Sequence, residues 1–153
     1  MRKAIKPILT AIMLNLLTAQ VVINEIHYNP SGSQGSDNDY EFMELYNPGT
    51  TDIDMSGYSF TQGVTHVFAD GTTLPAGGYL VVCVDASFYA SVINDGTDGG
   101  AVVDTVSWTS GGLSNGGEDI EIIDSIGTVI DFVDYEDGSN SYGDWGTSHD
   151  GGG

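Results

Sequence analysis

The segment from Gly112 to Gly116 carries a possible nucleophile, because its glycines flank Ser114 in the G-x-S-x-G pattern of hydrolases. In those enzymes the serine stands on a strand–turn–helix elbow, and an acid and a histidine follow it along the chain. An Asp and His149 do follow Ser114, but the segment leads into another strand rather than into a helix. The pair Asn115-Gly116 is also a turn signal in its own right. We therefore interpret the segment as a turn and predict no catalytic residues in this chain.

The densest group of oxygen ligands in the sequence consists of Asp37, Asp39, Glu41 and Glu44. Calcium takes about six to eight oxygen ligands from carboxylates, amides and backbone carbonyls. The run lacks the spacing of an EF-hand loop, so the signal comes from composition alone. Two interpretations follow: a calcium site formed by these four carboxylates, or a solvated loop with a structural carboxylate. Calcium is the only cofactor that the sequence suggests.

The remaining metal-ligating and nucleophilic side chains do not form a recognisable site. His27, His66 and His149 are far apart in the sequence, and the chain has neither an H-E-x-x-H motif nor a zinc-type Cys/His spacing. Cys83 is the only cysteine, which excludes an intramolecular disulfide. It falls in an apolar run, so we predict a buried and unreactive thiol.

Charge divides the chain into two parts, because Arg2, Lys3 and Lys6 are its only Lys and Arg residues. The first residues combine a positive start, an apolar stretch at 8–17 and a following Leu-Thr-Ala-Gln, which is the layout of a secretory signal peptide. The apolar stretch is shorter than the roughly 20 residues that a membrane span needs. We predict a signal peptide at 1–19 with cleavage after Ala19, and a secreted or cell-surface location. A retained N-terminal anchor is the alternative.

Removal of residues 1–19 would change the formal charge from −19 to −22 and leave a domain without Lys or Arg. Phosphate groups of nucleic acids are held mainly by these two residues. Nucleic acids and anionic membranes are therefore excluded as direct partners, and we expect a protein or a surface polymer instead. The sequence does not predict the oligomeric state.

Short runs of Val, Ile, Tyr and Phe alternate with clusters of Gly, Asn, Asp and Pro, which is typical of an all-β sandwich. Strands are predicted at 21–28, 40–47, 58–61, 64–68, 79–84, 102–108, 119–124 and 129–135. The last two are predicted to form a hairpin, and Gly127 allows the positive φ of its turn. Residues 86–93 could form a short helix capped by Asp85, or equally a loop. The predicted core consists of Ile23, Ile26, Phe42, Leu45, Tyr58, Leu80, Val82, Ile120, Ile122, Ile130 and Phe132.

Several segments, taken in order, resemble a bacterial lamin-tail domain. They are residues 22–30 (VINEIHYNP), 39–48 (DYEFMELYNP), 54–58 (DMSGY), 74–82 (LPAGGYLVV), 113–118 (LSNGGE) and 127–135 (GTVIDFVDY), followed by Trp145. The resemblance covers roughly residues 21–150, so we expect one domain at 20–153. The family continues past the tryptophan into a final apolar strand, and this sequence stops at Gly153. We therefore expect a fragment whose final strand is missing.

The resemblance implies an immunoglobulin-like β-sandwich without catalytic residues. In animals the domain is the globular tail of nuclear lamins and binds proteins and, in some cases, nucleic acid. Bacterial copies occur in exported or surface proteins, beside hydrolase, nuclease or adhesion modules. The nucleic-acid role does not transfer to this chain, because the predicted domain has no Lys or Arg.

We accordingly predict a non-enzymatic interaction or tethering module of a secreted or cell-surface protein. One alternative is a carbohydrate-binding module that stacks sugars on Tyr28, Trp108 or Trp145. A second is an accessory domain of an exported hydrolase or nuclease whose catalytic part is not in this chain. If the chain itself were an enzyme, it would be a hydrolase that uses Ser114.

Overall fold

The computed structural model describes residues 20–92 and 103–135. The predicted signal peptide and the tail with Trp145 and His149 lie outside these residues. The strands are β1 (Val22–His27), β2 (Phe42–Tyr46), β3 (Ile53–Asp54), β4 (Ser59–Gln62), β5 (Val64–Val67), β6 (Thr73–Leu74), β7 (Tyr79–Cys83), β8 (Asp104–Ser107), β9 (Ser110–Gly111), β10 (Glu118–Ile123) and β11 (Val129–Tyr135). The helices are α1 (Asp37–Tyr40) and α2 (Ala86–Val92). No helix in the described part of the chain is long and apolar enough to cross a membrane.

Two sheets pack against each other around one core. The four-stranded sheet has the order β1-β2-β7-β8 and the five-stranded sheet the order β11-β10-β4-β5-β9, while β3 and β6 form a small separate ladder. Strands β7 and β8 are parallel, and the other described pairs are antiparallel. Both sheets contribute buried residues to the core: Met43, Leu45, Leu80, Val82, Phe60, Val64, Ile120 and Ile122. The predicted all-β sandwich is thereby confirmed.

The helix α2 covers part of the outer face of the four-stranded sheet. Asp85 caps it as predicted, because its Oδ1 accepts hydrogen bonds from the backbone N–H groups of Ser87 (2.9 Å) and Phe88 (3.0 Å). Tyr89 of this helix is buried with Cys83 in a second apolar cluster, against which Phe42 packs. Phe42 therefore lies outside the main core in which the sequence placed it, because it alternates with the inward-facing residues of β2.

The assignment of Phe132 to the core is wrong. Its Cα partner is Glu121, and 43% of its surface remains exposed. An extra residue in β11 shifts the register between Ile122 and Ile123, so Ile122 lies opposite Asp131 while Ile123 lies opposite Val129. This bulge changes which residues of β11 face inward, and a simple alternation of residues cannot show it.

The two edges of the sandwich are joined in different ways. At one edge the chain crosses from one sheet to the other between two neighbouring residues. The backbone N–H of Trp108 donates to Cys83 O of β7 (2.9 Å), and the backbone N–H of Thr109 donates to Thr65 O of β5 (2.8 Å). At the other edge the Ile23 N–H of β1 donates to Asp131 Oδ2 of β11 at 2.8 Å.

Strands β1 and β11 run in the same direction along this second edge. Ile23 lies beside Asp131 near the starts of the two strands. Beyond the other end of β1, the rings of Tyr28 and Tyr135 lie 4.7 Å apart. The described fold therefore begins and finishes at opposite ends of the sandwich.

Candidate functional site

The loop that contains Ser114 is held as a turn. Ser114 Oγ accepts a hydrogen bond from Gly116 N–H (3.1 Å), and the Ser114 N–H donates to Glu118 Oε1 (2.7 Å). The predicted turn at Asn115-Gly116 is confirmed. The two described histidines contact aromatic rings elsewhere, His27 that of Phe42 and His66 that of Phe68. Within the described residues, Ser114 therefore has its loop as hydrogen-bonding partner rather than a histidine base.

The four candidate calcium ligands do not share one face of the structure. Asp37 and Asp39 lie in α1, and Glu41 directly follows this helix. Glu41 is buried and faces the same side as the inward-facing residues of β2. Glu44 lies on the outer face of that strand. Successive residues of a strand alternate between faces, so the sheet separates these last two carboxylates.

The acids near α1 bind neutral donors of the loop at 112–118. Glu41 Oε2 accepts the Leu113 N–H at 3.0 Å, and Asp37 Oδ2 accepts Asn115 Nδ2 at 3.0 Å. Burial raises the pKa of Glu41, the bond from Leu113 opposes this rise, and the negative charges of Asp37 and Glu118 add to it. Glu41 thus fastens the loop to the sheet as a structural carboxylate.

Glu44 has a different partner, since its Oε1 accepts the Asn24 Nδ2 of β1 at 2.7 Å. Among the described residues, no group of three or more His, Cys, Asp or Glu side chains is arranged to hold a metal ion. Calcium binding by Asp37, Asp39, Glu41 and Glu44 stays a prediction.

Cys83 is fully buried. Burial raises the pKa of its thiol to about 11, and the nearby charge of Asp85 adds to this rise. A thiol that remains protonated at neutral pH is a poor nucleophile. The predicted burial of the thiol is confirmed, and the raised pKa is consistent with the prediction that it is unreactive.

The aromatic residues proposed for sugar stacking are not exposed platforms where they are described. Trp108 is buried and donates its Nε1–H to Gly111 O at 3.2 Å. Tyr28 packs against the core and contacts Tyr135. A different pair is accessible on the outer face of the four-stranded sheet, where Tyr46 and Tyr79 stack with ring centroids 4.6 Å apart. Tyr79 is among the exposed large hydrophobic residues.

The outer face of the five-stranded sheet carries more of the exposed large hydrophobic residues. Val67, Ser59, Ile123 and Val129 are successive Cα partners across β5, β4, β10 and β11, so they form one row on this face. We define the exposed apolar patch as the apolar members of this row, the turn residue Ile126, and Phe132 of β11. The members from the row are Val67, Ile123 and Val129. The exposed fractions are 62% for Val67, 87% for Ile126, 51% for Val129 and 43% for Phe132.

The same face becomes acidic away from the hairpin turn. Asp119 of β10 lies directly opposite Asp134 of β11, and Glu121 lies opposite Phe132. Glu121 Oε1 accepts the hydroxyl of Thr61 at 2.7 Å. The outer face is therefore apolar at the end near the hairpin turn and negative at the other end.

Sequence reasoning missed this face for a physical reason. The bulge places Val129 and Phe132 on the same side of β11, although they are three residues apart. The acidic residues Asp119 and Glu121 alternate with buried Ile120 and Ile122. That alternation in β10 was the available signal, because the residues opposite outward-facing acids must also face outward.

Comparison with protein families identifies the family of this chain. The sequence profile of a family described as Lamin Tail Domain matches residues 17–137. The match begins shortly before the predicted cleavage point and ends just after β11. No curated protein matches the chain.

Proposed function

The chain belongs to the lamin tail domain family, whose fold is immunoglobulin-like, and from this membership we propose that it is a non-catalytic interaction module. In this proposal the module binds a protein or surface polymer and thereby tethers the secreted or bacterial cell-surface protein that contains it. The observation that carries the proposal is the exposed apolar patch. Contiguous apolar surface on a soluble domain commonly marks a site of association.

Charge supports the choice of partner class. All Lys and Arg residues lie in the predicted signal peptide, so the domain lacks the two residues that mainly hold phosphate. We therefore propose neither nucleic acid nor an anionic membrane as the partner. Whether the chain acts alone or as the accessory domain of an exported hydrolase or nuclease depends on the protein that contains it.

Binding and export can be tested separately. A fluorescent form of the chain should bind cells of its own organism saturably, and unlabelled chain should displace it. Expression of the precursor should release protein that begins at Gln20, as N-terminal sequencing would show. Unsaturable or absent binding contradicts tethering, whereas an uncleaved cytoplasmic precursor contradicts export.

The lack of catalysis has its own test. The purified chain should not hydrolyse ester, glycosidic or phosphodiester substrates above the buffer rate. Ser114→Ala is the decisive variant if turnover is seen. Activity that this substitution abolishes would show that the chain is a hydrolase.

Carbohydrate binding is the second candidate, and the stacked pair of Tyr46 and Tyr79 favours it. Accessible tyrosine rings on a sheet offer apolar faces with a polar hydroxyl at their edge. A glycan array should then give hits that Tyr79→Ala removes, whereas Tyr28→Ala leaves the binding face in place. An array without hits would exclude this candidate for the glycans tested.

A further inference from the structure

We propose that the exposed apolar patch is the docking site for a partner segment with apolar side chains at its centre and Lys or Arg beside them. This inference rests on the proposed function, because it names the partner class of that interaction module. It commits to a cationic partner protein rather than to a second copy of the chain. The argument depends on the register, on the acidic end of the same face, and on the charge of the whole chain.

The patch is continuous because hydrogen-bonded strands hold its members in register. Val67 and Val129 belong to strands on either side of β4 and β10, and Ser59 and Ile123 lie between them. Neighbouring strands are about 4.8 Å apart, so the row extends over roughly 15 Å. That length accommodates several apolar side chains of one partner segment.

The acidic end of the face determines the charge of the partner. Asp119 and Asp134 are direct cross-strand partners, an arrangement that is unfavourable for like charges. Glu121 adds a third carboxylate between these aspartates and the apolar row. A cationic side chain placed beside them would convert the local repulsion into attraction, and no Lys or Arg of the domain can do so.

A second copy is a poor occupant for the same reason. Two copies packed through this face would bring together the carboxylates of both, and neither would supply a Lys or Arg beyond residue 6. Juxtaposed like charges oppose association. The apolar centre and the acidic end are together satisfied by a segment that is apolar and basic.

Three designed peptides test the proposal on the predicted mature chain that begins at Gln20, because residues 1–19 are themselves apolar and basic and would compete with the peptides. The first is an amphipathic Leu–Lys peptide, the second replaces each Lys by Glu, and the third replaces each Leu by Ser. The Leu–Lys peptide should bind best, and its amide chemical-shift changes should centre on Val67, Ile123, Val129 and Phe132. Equal binding by the Leu–Glu peptide, or shifts centred elsewhere, would overturn the proposal.

A pair of substitutions removes the apolar contact while keeping side-chain shape. Val67→Thr with Val129→Thr should weaken Leu–Lys binding at least tenfold. Val92→Thr is the matched control, because Val92 is 50% exposed on α2, away from this face. Asp119→Asn with Asp134→Asn should weaken binding and reduce its dependence on salt. Unchanged affinity in both double variants would refute the site.

Folding and other occupants are checked in the same experiment. If the valine double variant loses its melting transition, Ile126→Ser replaces it, since that side chain lies in the exposed turn. A dimer that sedimentation detects and the valine variant abolishes would identify a second copy as the occupant and overturn the proposal. A shift of the Trp145 indole signal in that variant without peptide would instead identify the chain's own tail, with the same consequence.

The result separates this site from the proposed function. If labelled chain binds cells and the valine double variant binds them equally well, the interaction module stands and the patch is not its site. If the Leu–Lys peptide binds the patch but the chain does not bind cells, the site stands and tethering fails.

Discussion

At the scale of single residues, Glu41 shows how an acidic domain without Lys or Arg accommodates a buried carboxylate. Its partner is the Leu113 N–H, and its charged neighbours are Asp37 and Glu118. Burial and like charge both raise its pKa. The sequence shows a dense acidic run, but it does not show which member is buried. Burial of Glu41 follows from its place just before β2, where it continues the alternation of that strand.

Glu41→Gln should therefore stabilise the domain at pH 7, because it removes a buried charge while the amide oxygen can still accept the Leu113 N–H. A raised pKa means that the folded state takes up this proton before the unfolded state as pH falls. The contribution of Glu41 to stability should increase as pH drops from neutral towards its unfolded value of about 4.3. The melting advantage of Glu41→Gln should shrink over that range.

Melting curves at several pH values measure this effect. Glu44→Gln is the control, because it removes one charge from the outer face of the same strand. Parallel pH profiles for the Glu41 variant and the unsubstituted chain would contradict the prediction.

Calcium binding is tested at the same scale. If Asp37 and Asp39 contribute to a calcium site, millimolar calcium should raise the melting temperature more than sodium or magnesium at equal ionic strength. Binding to the folded state alone stabilises by about 2.7 kcal/mol at a hundredfold excess over Kd. Asp37→Asn with Asp39→Asn should abolish the calcium-specific part. One common curve for the three salts would exclude the site.

At the scale of elements, the sequence predicted best where turn chemistry and apolar pattern agree. Strand β11 and its hairpin with β10 were predicted because Gly127 stands between two apolar runs, and in the structure this glycine adopts φ 87°. Helix α1 was missed because its four residues are polar and bury none of their side chains. The short ladder of β3 with β6 was missed because two-residue strands are determined by tertiary packing rather than by a local pattern.

Asp124 is the residue on which the β10–β11 hairpin turn depends most. Its Oδ1 accepts the N–H groups of Ile126 (3.0 Å) and Thr128 (2.8 Å). These bonds, that of Thr128 first, lower the pKa of Asp124. Asp124→Ala should lower the melting temperature at pH 7, and the difference should diminish as pH falls through the lowered pKa, where the carboxylate protonates.

A second exposed carboxylate gives the control for this prediction. Asp70→Ala removes the same charge from another turn and should change the melting temperature less. Equal effects of the two substitutions would mean that charge removal, rather than the turn, determines the result.

At the scale of the whole molecule, repulsion among all the surface carboxylates together opposes folding. The chain has 22 Asp and Glu residues, and its three Lys and Arg residues all precede residue 7. Repulsion among the carboxylates is screened over about 10 Å at 0.1 M salt. The melting temperature should rise with sodium chloride between low and physiological concentrations. A salt-independent melting temperature would show that the carboxylates are too well separated to repel.

The parallel course of β1 and β11 along one edge has a mechanical consequence. A pull on the chain ahead of Val22 and beyond Tyr135 enters the two edge strands at opposite ends of the sandwich. The force then acts along the strands, perpendicular to their ladder hydrogen bonds. The β1–β2 and β10–β11 ladders are consequently sheared with all their bonds loaded at once, rather than unzipped one bond at a time. Single-molecule stretching through the chain ends should give a higher rupture force than stretching through Glu118 and Tyr135, which lie opposite each other at the open end of the hairpin, so that this pull unzips the β10–β11 ladder.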